Sequence, residues 1–125
     1  MPTVAILGAS ADRSKFGNKA VRAFLAKEYT VYPVNPKGGE IEGLPVRHSL
    51  SDIPVDVKLD RITVYLPPAV SLKMLPQIVA RGCKELWLNP GSESDELVAA
   101  AEKAGLNVIQ ACSIVDIGMS PHDLP

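Results

Sequence analysis

The sequence predicts an α/β domain in which a doubly wound, Rossmann-like parallel sheet lies between two layers of helices, as a three-layer α/β/α sandwich. Segments of strand and helix character alternate along the chain. The first strand segment, residues 3–7, is apolar without alternation, as a strand buried on both faces must be. The strand ends at Gly8, a small basic loop follows, and a helix begins at Gly17. This order is typical of a phosphate-binding turn.

Length and composition limit the classes of protein that need to be considered. The 125 residues predict a single domain, residues 1–125, with one core. The net charge of −1 gives no electrostatic case for DNA or RNA, so we expect no nucleic-acid partner. No apolar run approaches the roughly 18 residues that span a membrane, and no leader-like segment opens the chain. We therefore expect a cytoplasmic protein without a membrane partner.

The cysteines and histidines do not form a recognisable catalytic or metal site. Cys83 and Cys112 are too few for a disulfide framework, and neither has a His or Cys at metal-ligand spacing. We expect reduced thiols and no structural metal. His48 and His122 each stand alone, so a solvated surface position is the expectation for both. No set of residues predicts independent catalysis.

The first strand and helix form the first β-α unit. The strand covers residues 3–7. The helix is predicted over residues 17–27, because Val21, Phe24 and Leu25 recur there on one stripe. We expect that stripe to pack on the sheet.

The second strand is predicted over residues 30–34, where β-branched and aromatic residues cluster. Pro33 cannot donate a ladder hydrogen bond, so we expect an irregular end to this strand. Asn, Pro and Gly predict a turn over residues 35–39. Residues 40–60 mix Gly and Pro with short apolar groups, which predicts only a small strand or extended segment followed by a loop.

The third unit begins with a strand over residues 61–66. An apolar stripe at Leu75, Ile78 and Val79 predicts a helix after it. Pro76 falls within that stripe, so the helix is expected to be kinked or to start late.

The fourth unit contains the clearest predicted helix. A strand over residues 84–88 precedes it, Ser92 or Ser94 can cap it, and Gly105 ends it. The last strand is predicted over residues 107–110. The tail that follows gives no assignable pattern.

The loops after the strands should gather at one edge of a parallel sheet. Ligands of such folds bind outside the carboxyl ends of the strands. We therefore expect residues 8–18, 34–39, 65–68 and 89–92 to face one crevice. Each of these loops is rich in Gly, Pro, Ser or Asn.

The first loop favours a nucleotide, although it differs from the dinucleotide fingerprint. From Gly8 it reads G-A-S-A-D-R-S-K-F-G and lacks the G-x-G-x-x-G spacing. NAD-binding domains also carry an acidic residue after the second strand, whereas this chain has Asn35 and Lys37. A lysine suits a phosphate. The alternative is that Gly8 and Gly17 only permit a tight turn.

Charges at the helix starts indicate where a phosphate would bind. The last predicted helix opens with Glu93, Asp95 and Glu96, which offset its dipole and repel anions. The first predicted helix opens near Arg13 and Lys15. A phosphate should therefore prefer the first helix.

Several motifs closely resemble those of the small CoA-binding-domain proteins. Val-Asn-Pro-Lys at residues 34–37 occurs together with Gly-Ala-Ser at 8–10 and Lys-Phe-Gly-Asn at 15–18. Further matching motifs lie at 41–43, 49–50, 64–68, 86–91 and 104–106, so the resemblance covers nearly the whole chain. The domain also looks like the CoA-binding part of the succinyl-CoA synthetase alpha subunit and of NDP-forming acyl-CoA synthetases.

The resemblance implies that coenzyme A or an acyl-CoA is the ligand. In the relatives, the first loop and the lysine after the second strand contact the CoA phosphates and adenosine. Residues after the later strands line the thiol-bearing arm. The cofactor-binding residues that this implies here are Gly8, Ala9, Ser10, Arg13, Lys15, Phe16, Gly17, Asn35, Lys37, Tyr65, Leu66, Pro67, Asn89, Pro90 and Gly91.

The chain departs from its relatives at two points. The synthetases carry a phosphorylated histidine in a further domain, which we do not expect within these 125 residues. Many small relatives have Gln where Asn89 stands. Cys112 follows the last strand, at the crevice edge or just beneath it, and similar cysteines occur in the small relatives. A thiol there could exchange with that of CoA, but a buried structural cysteine is favoured.

Three functional hypotheses follow. The first is non-catalytic binding of CoA or an acyl-CoA, as a carrier, a sensor or the partner of a separately encoded enzyme. The second is an NADP-dependent oxidoreductase, because Lys37 could equally receive a 2′-phosphate. The third is a Rossmann-like interaction protein without a bound nucleotide.

Overall fold

A parallel sheet forms the centre of the molecule. The structure is a computed structural model that describes residues 1–125. The strands are β1 (Thr3–Leu7), β2 (Thr30–Val34), β3 (Glu40–Ile41), β4 (Leu44–Pro45), β5 (Arg61–Val64), β6 (Glu85–Leu88) and β7 (Val108–Gln110). The sheet has five strands in the order β2-β1-β5-β6-β7, all parallel, and β3 pairs with β4 as an antiparallel hairpin. The topological switch point therefore lies between β1 and β5.

Helices cover both faces of this sheet. They are α1 (Phe16–Ala26), α2 (Pro68–Arg81), α3 (Asp95–Lys103) and α4 (Ser113–Asp116), with short 3₁₀ turns at Leu50–Asp52 and Pro121–Asp123. Helices α1 and α4 share one hydrophobic core with the sheet, and α2 and α3 share the other. The predicted doubly wound three-layer sandwich is confirmed. None of the helices combines the length and apolar character needed to cross a bilayer.

Strand β1 contributes to both cores because its side chains alternate between the two faces. Val4 and Ile6 pack on the side of α1, whereas Ala5 and Leu7 pack on the side of α2 and α3. All four are buried. The continuous apolar pattern of this strand thus follows from its central position.

Two details of β2 and α2 differ from the expectations. Strand β2 is paired with β1 along its whole length, so the irregular end expected at Pro33 is wrong. The carbonyl of Pro33 accepts a hydrogen bond from the amide of Arg47, 2.9 Å away, on the side of β2 that faces away from β1. Proline is tolerated at such an outer edge. Helix α2 begins at Pro68 and includes Pro76, so of the two expected effects of Pro76, a kink or a late start, the late start is wrong.

Two residues assigned to apolar stripes face the solvent instead. Leu25 is 37% exposed and Val79 is 40% exposed. Each follows a buried neighbour, Phe24 in α1 and Ile78 in α2, so the buried stripe of each helix is narrower than its apolar sequence. Isolated apolar residues on a surface are common.

The tail left unassigned from the sequence folds back on the sandwich. It contains α4 and a 3₁₀ turn, and it buries Ile114 and Leu124 in the core beside α1. The amide of Ser113 donates to the side-chain oxygen of Asn89, 2.8 Å away. These contacts place Cys112 at the carboxyl edge of the sheet.

Candidate functional site

A cavity of about 710 Å³ opens at the carboxyl edge of the sheet, at the switch point between β1 and β5. Loops that follow β1, β5, β6 and β7 form its walls. This volume lies within the range of small-molecule and cofactor sites. The lining residues are Gly8, Lys15, Phe16, Gly17, Tyr65, Leu66, Pro67, Pro68, Asn89, Pro90, Gly91, Ser92 and Cys112.

Two glycines allow β1, loop 1 (residues 8–15) and α1 to pack backbone against backbone. Gly8 has a φ of +84°, and a Cβ atom there would lie 2.5 Å from the carbonyl oxygen of Tyr65. A Cβ atom on Gly17 would overlap the carbonyl oxygen of Gly8. The glycines therefore do more than permit a tight turn, because side chains at these positions would push loop 1, β5 and α1 apart. They also leave bare backbone at the cavity wall.

The start of α1 carries positive potential at the cavity. Lys15 occupies the N-cap position without a side-chain capping bond, and the first turn contains no acidic residue. The backbone amides of Phe16 and Gly17 donate no hydrogen bond within the chain. Free amides and an adjacent cation at a helix start are features that favour an anion. Phe16 is 53% exposed there, and the Lys19 ammonium lies 5.5 Å from its ring centre.

Side chains outside the cavity hold loop 1 in place. The side-chain nitrogen of Asn35 donates to the carbonyl of Ala9, 2.8 Å away. The side-chain nitrogen of Asn18 donates to the carbonyl of Ser10, 2.9 Å away. Within the loop, the backbone amide and hydroxyl of Ser14 both donate to Asp12. These bonds lower the pKa of the Asp12 carboxyl. Hydrogen bonds from within and outside loop 1 therefore fix its conformation.

The cavity brings most of the predicted binding residues together. Gly8, Lys15, Phe16, Gly17, Tyr65, Leu66, Pro67, Asn89, Pro90 and Gly91 line it, and Ala9, Ser10, Arg13, Asn35 and Lys37 do not. Ala9 is buried beneath the loop. Arg13 points to the other side of loop 1, where its Nε lies 3.8 Å from a carboxylate oxygen of Glu42. Lys37 is exposed on the turn after β2.

Asn89 is a structural residue of the cavity wall. Its side-chain nitrogen donates to the hydroxyl of Thr63 at 2.7 Å and to the carbonyl of Val64 at 2.9 Å. Its side-chain oxygen accepts from the amide of Ser113. The side chain is 2% exposed and bonded on both sides, so it joins β5, β6 and α4. A satisfied buried amide of this kind stiffens the surrounding structure.

Tyr65 and Cys112 both line the cavity, and both pack against the hydrophobic core on the α1 side of the sheet. The Tyr65 hydroxyl is buried and lacks a hydrogen-bond partner of good geometry. Burial raises the pKa of this hydroxyl well above its usual value, the nearby Cys112 thiol adds to the shift, and the Thr63 hydroxyl opposes it. Cys112 is half-buried and free, and it lines the cavity. The expected position at the crevice edge therefore agrees with the structure.

Pro68, Ser92 and Cys112 line the cavity but are absent from the predicted set of cofactor-binding residues. Pro68 and Ser92 belong to the loops 65–68 and 89–92, which were expected to face the crevice, and Cys112 was expected near its edge. The Ser92 hydroxyl donates to the carbonyl of Val64, 3.0 Å away, so this residue fixes the wall rather than capping α3. The cap is Ser94, whose side chain accepts from the amide of Leu97.

The cavity holds no cluster of metal-ligating side chains, and three titratable side chains line it. No group of three or more His, Cys, Asp or Glu side chains is placed to hold a metal ion. His48 and His122 are exposed and do not line the cavity. The titratable side chains of the cavity are Lys15, Tyr65 and Cys112. No His, Asp or Glu side chain is among the residues that line the cavity.

A family model described as a CoA binding domain matches residues 2–118 of the chain. The chain belongs to this family. The resemblance stated from the motifs is thereby confirmed.

Acetate–CoA ligases are among the similar curated proteins. The chain is 32% identical over 120 residues to acetate–CoA ligase [ADP-forming] I of Archaeoglobus fulgidus, a match that covers 85% of this chain and 17% of the ligase. It is 31% identical over 122 residues to the alpha subunit of acetate–CoA ligase [ADP-forming] I of Pyrococcus furiosus, covering 86% of this chain and 26% of the subunit. The chain thus spans about a quarter or less of the length of these two relatives.

Solved structures of two sizes share the fold. A conserved hypothetical protein from Pyrococcus furiosus superposes with a TM-score of 0.83 at 37% identity, over 93% of this chain and 99% of that chain. The dinucleotide-forming acetyl-coenzyme A synthetase 1 of Ca. Korarchaeum cryptofilum, in complex with phosphate and ADP, has a TM-score of 0.75 at 29% identity. That match covers 87% of this chain and 25% of the synthetase. The domain therefore occurs both by itself and within a larger enzyme.

Proposed function

We propose that this chain binds coenzyme A, free or acylated, in the cavity at the carboxyl edge of the sheet. The single observation that carries the proposal is the start of α1, where the free amides of Phe16 and Gly17 and the ammonium of Lys15 face that cavity. Membership of the CoA-binding domain family supports the same ligand. The residues present fit a molecule that has an anionic end and a long, partly apolar arm.

The anionic end of CoA contains a pyrophosphate and a 3′-phosphate. In the proposal, the pyrophosphate binds at the start of α1, because the amides and the helix dipole point there. Lys37 is the residue proposed for the 3′-phosphate. It is exposed on the turn whose Asn35 is bonded to loop 1, so a cation stands beside the same loop.

The thiol-bearing arm is proposed to lie along the apolar wall. Leu66, Pro67, Pro68 and Pro90 supply that wall, and none of them carries a side-chain charge. Phe16 stands exposed at the mouth of the cavity, where an aromatic ring can pack against a ligand. In the proposal, this wall contributes affinity and no catalytic group.

We further propose that the chain acts as a CoA-holding module without independent catalysis, in company with a separately encoded enzyme. The lack of an acid-base pair in the cavity supports a binding role. The ligase relatives, which this chain matches over only 17% and 26% of their length, support an enzyme partner.

Isothermal titration with CoA and 3′-dephospho-CoA tests the proposal. CoA is expected to bind about fivefold or more tightly than dephospho-CoA, since a charge-assisted contact is worth on the order of 1–3 kcal/mol. Lys37→Ala should remove that preference and leave dephospho-CoA binding unchanged. Lys58→Ala, a change at another exposed lysine near the opposite edge of the sheet, is the matched control and should change neither affinity.

Failure of CoA to bind the wild-type chain would contradict the proposal. NADP shares the pyrophosphate but lacks the thiol-bearing arm, so it is expected to bind more weakly than CoA. Binding of NADP in preference to CoA would favour the oxidoreductase hypothesis instead.

A further inference from the structure

The hairpin of β3 and β4 contains a strained residue beside loop 1. Ile41 pairs with Leu44, so the turn consists of Glu42 and Gly43, with φ values of 49° and 79°. Two positive φ angles define the primed type of turn that joins short hairpins. Glycine adopts this conformation freely at the second position, but a glutamate at the first position is strained because its Cβ crowds the backbone.

The side chain of Glu42 reaches the far side of loop 1. One carboxylate oxygen accepts a hydrogen bond from the side-chain nitrogen of Asn18 at 3.1 Å, and it lies 3.8 Å from the Nε of Arg13. The Glu42 side chain is only 24% exposed, although it belongs to a surface turn. The carboxylate is therefore held against α1 and loop 1.

Asn18 links this carboxylate to the loop. It is fully buried, and its nitrogen also donates to the carbonyl of Ser10. Its oxygen accepts from the Nε of Arg22, 2.7 Å away, and Arg22 in turn donates to the carbonyl of Arg13 at 2.8 Å. Residues 10–13 are thus held at both ends by a network that Glu42 completes.

The chain offers an internal comparison for this strained glutamate. Glu28 has a φ of 62° and is the other non-glycine residue in the left-handed region. It is exposed after the end of α1, and its side chain makes no hydrogen bond or ion pair. The strained backbone at Glu28 places its side chain in no polar contact. The strained backbone at Glu42 places its carboxylate beside Asn18 and Arg13.

We propose that Glu42 is a positioning residue, which fixes residues 10–13 of loop 1 so that the start of α1 can receive a ligand phosphate. This inference rests on the proposed function for its ligand. Glu42 does not line the cavity, and it acts through Asn18 and Arg13.

Three variants separate the side chain from the backbone strain. Glu42→Gly removes the carboxylate and relieves the left-handed backbone. Glu28→Gly relieves the same left-handed strain at a residue whose side chain makes no polar contact. Glu42→Gln keeps the strained residue and an oxygen that can accept from Asn18, but it removes the charge. Calorimetry with CoA measures affinity, thermal unfolding measures stability, and NMR measures amide exchange at Asp12, Ser14 and Lys15.

We expect Glu42→Gly to bind CoA about fivefold more weakly, which is the typical net effect of losing one intramolecular hydrogen bond. Its loop 1 amides should exchange at least about three times faster, while its unfolding midpoint is unchanged or higher. Glu28→Gly should match the wild type in affinity and in loop exchange. Glu42→Gln should retain the wild-type affinity within about twofold, because the bond to Asn18 persists.

Wild-type affinity and wild-type loop exchange in Glu42→Gly would overturn the inference. Tighter binding in that variant would also overturn it, since the carboxylate would then compete with the phosphate for Arg13. If the wild-type chain does not bind CoA, the proposed function is wrong, and the exchange rates still decide whether Glu42 positions loop 1.

Discussion

The starts of α1 and α3 differ although both helices follow strands of the same parallel sheet. Helix α3 begins with a Ser94 cap, carries Asp95 and Glu96 in its first turn and has Lys103 in its last. Helix α1 has Lys15 at its N-cap position, where the side chain makes no capping bond, and no acidic residue in its first turn. Local interactions therefore stabilise α3 at its start, and α1 lacks them.

The difference shows how a helix start can be kept free for a ligand. The first turn of α1 includes Gly17 and Asn18, both buried against loop 1, and the amides of Phe16 and Gly17 are unpaired at the cavity. Asp95 and Glu96 of α3 are exposed and do not line the cavity. Packing against the sheet holds α1 in place, so the fold does not require a cap at the position where a phosphate is proposed to bind.

The largest effect is expected from Gly17→Ala, which alters the second residue of α1. Alanine is a better helix former than glycine by about 1 kcal/mol, yet its Cβ would overlap the carbonyl oxygen of Gly8. We expect overpacking to dominate, with a loss of about 2 kcal/mol in unfolding free energy. CoA affinity should fall about 100-fold, because two amides move away from the phosphate. Denaturant unfolding and calorimetry measure these effects.

Glu96→Ala is the matched control, since Glu96 is the second residue of α3. This exposed change should cost no more than about 1 kcal/mol and leave CoA binding unaltered. If Gly17→Ala and Glu96→Ala changed CoA affinity equally, the claim that only the start of α1 binds the ligand would be wrong.

A smaller effect is expected from Lys15→Asp, which gives α1 the kind of start that α3 has. An aspartate at the N-cap should raise the unfolding free energy by about 1 kcal/mol. It also replaces a cation at the cavity with an anion, so CoA affinity should fall about tenfold. A gain in stability together with a loss of affinity would be visible when thermal unfolding is compared with calorimetry.

Ser94→Ala is the reciprocal change, because it removes the cap of α3. It should lower the unfolding free energy by about 1 kcal/mol without changing CoA affinity. A Lys15→Asp variant that binds CoA as well as the wild type would show that the charge at α1 has no part in binding.

Much of the fold could be predicted because local pattern and global position agree. The strand over residues 3–7 matches β1 at both ends, and the strand over residues 30–34 matches β2. Ser94 caps α3, and Gly105 follows its end with a φ of +89°. In each case the residues that predict the element lie within the element or next to its end.

The unpredicted parts depend on contacts between distant residues. The tail is ordered by the bond from Ser113 to Asn89 and by burial of Ile114, neither of which leaves a periodic signal in so short a helix. The contact of Glu42 with Asn18 crosses 24 residues and depends on the geometry of a hairpin turn. Asn89 was predicted to contact the ligand, but only the structure reveals that its side chain is bonded on both sides.

Amide NMR during a CoA titration tests the central claim most directly. The account predicts that the amide signals of Phe16 and Gly17 shift strongly as CoA binds, because these groups become hydrogen-bonded to phosphate. The signals of Asp95 and Glu96, at the same positions of α3, should stay unchanged. Saturable CoA binding with no shift at Phe16 and Gly17, or with the main shifts at Asp95 and Glu96, would contradict the account.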